Sequence, residues 1–95
     1  MPAIARKGDT CTGHGGWPSR ACDGASSDVF VNGIEVHRQG DHWVTHCNAE
    51  PECHDSTLSS GSSKVFINGK QCGRVGDPVA CGSAIASGSS NVFAG

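Results

Sequence analysis

Ser26-Ser27-Asp28-Val29-Phe30-Val31-Asn32-Gly33 returns 36 residues later as Ser62-Ser63-Lys64-Val65-Phe66-Ile67-Asn68-Gly69. Ten residues after each Phe comes a Gly-Asp step, Gly40-Asp41 and Gly76-Asp77, with Arg38 and Arg74 two residues before the Gly. A third copy is cut in two by the termini. Ser89-Ser90-Asn91-Val92-Phe93-Ala94-Gly95 carries its first half, and Ala3-Ile4-Ala5-Arg6-Lys7-Gly8-Asp9 its second. A unit this short cannot bury an apolar face alone and needs its neighbours. Three units, the last divided between the ends, predict a ring in which the C-terminal strand pairs with the N-terminal one. Closure leaves fewer free strand edges and makes the termini neighbours.

Each Asn-Gly is flanked by short β-prone runs. Asn-Gly favours the type I′ turn, whose two central residues both need positive φ. Residues 29–31 with 34–38, and 65–67 with 70–75, therefore read as hairpins. No segment has a helical apolar period, and the 14 Gly argue against helix throughout. The fold class is all-β, and the length of 95 residues suits a single domain, 1–95.

Leu, Ile, Val and Phe together number 16 of 95 residues. That is below the roughly 20% at which a chain without other support is suspect as a folder. Something besides oil must hold it, and five His and six Cys are the means available. Three disulfides fit poorly, because MPAIARKGD shows no signal peptide and a reducing cytosol disfavours bridges. Mixed Cys/His clusters fit metal better, although Cys47 and Cys53 can oxidise after export. The formal charge of −2 and the lack of a basic run exclude phosphate-led nucleic-acid binding. No apolar run is long enough for a transmembrane span.

The candidate chemistry follows the Gly-Asp steps. His14 lies five residues after Asp9, His46 five after Asp41, and Cys81 four after Asp77. Threefold geometry brings those loops to one apex, and His54 is near enough in sequence to His46 to return there. His14, His46, His54 and Cys81 make a closed N/S set of the kind that holds structural zinc, with iron the other metal that suits it. His42, four residues before His46, is the rival ligand. Each residue also has a plainer reading: His14 as an exposed turn histidine, Cys81 as a small buried thiol, His37 as a strand-surface residue. Arg6, Arg38 and Arg74 pair with the Asp of the next unit or are solvated. Asp9, Asp41 and Asp77 are expected to bind backbone N–H groups. Trp17 and Trp43 cover the metal, shape the surface or pack the loops. Phe30, Phe66 and Phe93 are expected to form a small threefold core. No Cys–His or carboxylate pair has a catalytic context, so an enzyme is not expected.

The three Arg-x-Gly-Asp steps, the Ser-Ser-x-Val-Phe-x-Asn-Gly hairpins, His14-Gly15-Gly16 and Asp77-Pro78-Val79-Ala80-Cys81-Gly82 together resemble the PAAR-repeat proteins, over essentially all of residues 1–95. The resemblance implies a small β cone of three pseudo-threefold repeats with zinc at its apex. It implies ligands at His14, His46, His54 and Cys81. This chain departs from the pattern in the stretch Cys47 to Cys53, with a Cys at each end. The resemblance further implies a tip on the trimeric spike of a type VI secretion system or a phage tail. That spike is built of valine-glycine repeat protein G (VgrG), with one tip per trimer, and is thrust through a target membrane. A chain ending at its last half-repeat is then expected to be a bare tip whose effectors attach non-covalently. It is made in the cytoplasm and leaves with the spike. The alternatives are a free-standing metal-binding module and, more distantly, a disulfide-rich toxin.

Overall fold

A computed structural model of the protein describes residues 1–50 and 52–95. These form strands, isolated bridges and turns with no helix. Six strands lie in three antiparallel hairpins: β1 (Phe30–Val31) with β2 (Ile34–Glu35), β3 (His42–Cys47) with β4 (Cys53–Thr57), and β5 (Phe66–Ile67) with β6 (Lys70–Gln71). Asn32 and Gly33 have φ of 55° and 75°, and Asn68 and Gly69 have 54° and 79°, the double positive φ of a type I′ turn. The flanking strands are shorter than the sequence suggests. Beyond Glu35 one bond stays within the hairpin, Val36 N–H to the Val29 carbonyl at 3.1 Å, and the chain otherwise turns to other units: Val36 bridges Arg6, and Arg38 bridges Cys72.

The ring closes as the split repeat requires. Ala3 bridges Phe93, and the Ala94 N–H donates to the Pro2 carbonyl at 3.0 Å. At the centre, Ala5 donates to Gly73 (2.9 Å), Gly73 to His37 (2.9 Å) and His37 back to Ala5 (3.0 Å). These three occupy one repeat position, so the backbone bonds form a closed triangle. An outer ring repeats the logic with side chains. Ser26 donates to Asn68 Oδ1 (2.6 Å), Ser89 to Asn32 Oδ1 (2.6 Å), and Ser62 to the Gly95 carbonyl. The Gly95 carbonyl thus stands where the other two units use an asparagine side chain. Each of these serines also accepts backbone N–H bonds that start its own hairpin.

The three Gly-Asp steps are one turn made three times. Arg6, Arg38 and Arg74 offer their carbonyls to the N–H of Asp9, Asp41 and Asp77 at 2.9–3.0 Å. Gly8, Gly40 and Gly76 sit third in each turn at φ of 93°, 84° and 95°, where a side chain would be strained. Each aspartate accepts the backbone N–H of its own arginine at 2.7–2.9 Å and pairs with that arginine's guanidinium. The pairing is therefore within a unit and not with the next one, because the turn brings residues i and i+3 together.

The core is threefold by position, not by residue type. One cluster joins Cys11, Trp43 and Val79, each two residues after a Gly-Asp aspartate, with Cys22, Leu58 and Ile85. The latter three each donate to that aspartate's carbonyl, at 3.0–3.1 Å. A second cluster holds Ile4, Val36 and Cys72, again equivalent, with Ala94, and Val29, Val31, Val65, Ile67 and Val92 packed against it. Phe30, Phe66 and Phe93 are not core residues; they are 54%, 54% and 48% exposed. Strand alternation explains it, since the aliphatic residues on either side (Val29 and Val31, Val65 and Ile67, Val92 and Ala94) take the inward face and turn the ring out.

His37 is likewise not on the surface but fully buried. Its equivalents are Ala5 and Gly73, which leave room at the centre for one larger side chain. Its Nδ1 donates to the Gly24 carbonyl at 2.7 Å, and its ring meets Trp43 edge-on at 5.1 Å. Burial pushes its pKa below the ordinary histidine value, so the core holds it neutral. A histidine with a lowered folded pKa leaves stability intact above its unfolded pKa, about 6.5, and withdraws it as pH falls below that value. The urea midpoint of the wild type should therefore fall relative to that of His37→Leu between pH 7.5 and 5. A constant gap would contradict the assignment.

Candidate metal centre

Four short segments meet at one end of the first core cluster. His14 opens a tight turn closed by reciprocal bonds between His14 and Trp17, at 2.9 and 2.8 Å. Gly15, at φ 50°, lets that turn form. His46 and His54 are direct cross-strand partners on β3 and β4. An irregularity in register between Trp43 and His46 lets both be buried although they are three residues apart, a spacing that a regular strand would send to opposite faces. Cys81 sits on the turn Val79–Ser83, where Gly82 donates back to Val79 at 2.9 Å and Ala80 is tied to Thr57 of β4 at 2.9 Å.

These residues bring together the set His14, His46, His54 and Cys81, whose donor atoms all lie within 4.8 Å of one another. His46 Nε2 is 2.6 Å and His14 Nε2 3.1 Å from His54 Nε2. A tetrahedron with 2.0–2.1 Å metal–nitrogen arms has edges of about 3.3 Å, so these spacings are of the right order. His46 is fixed from behind: its Nδ1–H donates to the Pro18 carbonyl at 2.7 Å, which leaves the Nε2 lone pair facing the group. Burial lowers the His14 pKa, and His46 and His54 lower it further, so the imidazole is presented neutral, as a ligand must be. Three imidazoles and a thiol at such separations can hold one metal ion.

Around the group, Trp17 stacks on His14 at 5.0 Å and lies 5.0 Å from His54. Its indole N–H donates to the Glu52 carbonyl at 3.0 Å, tying the His14 turn to the β3–β4 loop. Trp43 lies deeper, in the core. His42 stands outside the set. Its Nδ1 bonds Asp23 at 2.6 Å and its Nε2 bonds Asp55 at 2.8 Å, so both nitrogens are engaged. Those two carboxylates, Asp55 first, raise its pKa. Sequence spacing misses the β3–β4 pairing itself, which makes Cys47 and Cys53 the last cross-strand pair, joined in a disulfide. Cys11, Cys22 and Cys72 are buried free thiols.

A model of the PAAR motif family matches residues 12–87. The chain is 35% identical over 75 residues to the NAD(P)(+) glycohydrolase toxin Tse6 of Pseudomonas aeruginosa PAO1. It is equally similar to the (p)ppApp synthetase toxin Tas1 of Pseudomonas aeruginosa UCBPP-PA14. Each alignment takes in 74% of this chain but 17% of the toxin.

Proposed function

The chain belongs to the PAAR motif family, and from that premise we propose that it is a spike tip of a type VI secretion system, capping a VgrG trimer. One observation carries the reading. A ring of three units presents Phe30, Phe66 and Phe93, about half exposed, at equivalent positions around it. Exposed aromatic rings related by threefold symmetry suit a partner with a threefold axis, because each subunit then meets the same surface. Strand edges of β1, β5 and the terminal pair can continue the partner's sheets.

In this reading the ion is zinc, held by His14, His46, His54 and Cys81. Such a closed four-donor set leaves no position for substrate, so the centre is structural and the protein is not an enzyme. When bound, the ion cross-links segments that the small apolar core does not. The two matched toxins share with this chain only a fraction of their length, and we read that shared part as a carrier for toxic cargo. The tip is then made in the cytoplasm and leaves with the spike through a target membrane.

Mixing the metal-loaded protein with a VgrG trimer tests the reading. Native mass spectrometry should show one tip on three spike chains. A free-standing metal module would take up the ion and leave the trimer bare.

A further inference from the structure

We propose that Cys47 and Cys53 form a redox-operated clamp that sets how fast the metal centre releases its ion. The inference rests on the metal reading above and adds to it a control that the ligands alone do not have. Cys47↔Cys53 is the cross-strand pair next to His46↔His54. Its disulfide therefore seals the hairpin one residue beyond the two histidines. Beyond the disulfide the loop is held by Asn48, whose N–H donates to the Glu52 carbonyl at 2.9 Å and whose side chain accepts from the N–H of Glu50 and Glu52. With the bridge open, the exposed end of the hairpin loses its one covalent link and is closed only by the Asn48 bonds and the Trp17–Glu52 bond. His46 and His54 can then part.

The pair is also the one that solution redox chemistry reaches. Cys47 and Cys53 are exposed, whereas Cys11, Cys22 and Cys72 are buried and Cys81, partly buried, belongs to the metal set. Burial pushes the Cys22 thiol up to about 12 and the Cys72 thiol to about 11, so neither is a ready nucleophile. Closure proceeds by exchange with a low-molecular-weight disulfide. One protein thiolate attacks it, releasing a small thiol and forming a mixed disulfide. The second protein thiolate displaces the other small thiol and completes the bridge. Two protein thiols are oxidised and one small disulfide is reduced to two thiols. A reducing cytosol keeps the bridge open and an oxidising exterior closes it. The ion is thus exchangeable where the protein is made and locked where it acts.

Zinc-loaded protein, oxidised or reduced with a phosphine, is mixed with a chromophoric chelator and zinc release is timed. Far-ultraviolet circular dichroism checks that both forms start folded. Groups that orient metal ligands change affinity about 10- to 100-fold when removed, so reduction should speed release by about that factor. Cys47→Ser/Cys53→Ser should release at the fast rate with or without the phosphine. Equal rates, or slower release from the reduced form because its thiols join the ion, would overturn the clamp and leave the metal centre standing. If neither form takes up zinc, both the clamp and the metal reading fail.

Discussion

Stripping the metal-loaded protein with a strong chelator is expected to lower its Tm by more than about 20 °C, or to abolish cooperative melting. Structural zinc contributes about 10–16 kcal/mol in small domains, as much as the whole stability of a chain this size, about 5–15 kcal/mol. Each kcal/mol moves Tm by about 4–8 °C for such a domain, so even half of the zinc contribution reaches the threshold. His46→Ala should melt like the stripped wild type and show no response to chelator. It removes a buried ligand together with the bond that ligand gives to the Pro18 carbonyl. His42→Ala, which cuts only the exposed links to Asp23 and Asp55, should keep the ion. A stripped wild type that melts where the loaded one does would remove the ion from the account of stability.

The second large effect concerns the phenylalanines. Phe30→Ser, Phe66→Ser and Phe93→Ser together are expected to keep the metal and cooperative melting yet lose most affinity for the spike trimer. About 100 Å² of each half-exposed ring is open to a partner, worth about 2.5 kcal/mol at 25 cal/mol/Å². Half the sum for three rings, about 4 kcal/mol, weakens binding several hundredfold. Affinity by light scattering or calorimetry reads the change. Unaltered binding would mean that docking uses another surface, and a variant that no longer folds would return these rings to the core.

The repeat was legible because it fixes residue types at the turns. Asn32-Gly33 and Asn68-Gly69 need positive φ, and Arg-x-Gly-Asp needs both the glycine and the Arg–Asp pair, so the same letters recur. The core was not legible for the opposite reason. Cys11, Trp43 and Val79 fill one layer from three equivalent positions, and only their combined volume is constrained. A search for repeated letters therefore finds the three phenylalanines, which recur, and assigns them to a core that lies elsewhere. His37 went to the surface in the same way, since its burial depends on Ala5 and Gly73 being small. Within the candidate centre, the Gly-Asp offsets located His14, His46 and Cys81 near one another. The β3–β4 hairpin was hidden, because an irregular strand puts Trp43 and His46 on one side. Cys47 and Cys53 are nonetheless legible as a pair able to oxidise, although the strand register that sets them opposite each other is not.

X-ray absorption at the zinc edge, on protein purified with its metal, addresses the assignment head-on. Three nitrogens at about 2.0 Å and one sulfur at about 2.3 Å, at one zinc per chain, is the predicted first sphere. Cys81→Ser should remove the sulfur from it. A sphere with two or more sulfurs, with none, or with no zinc in the protein would contradict the claim that His14, His46, His54 and Cys81 draw this ring to its point.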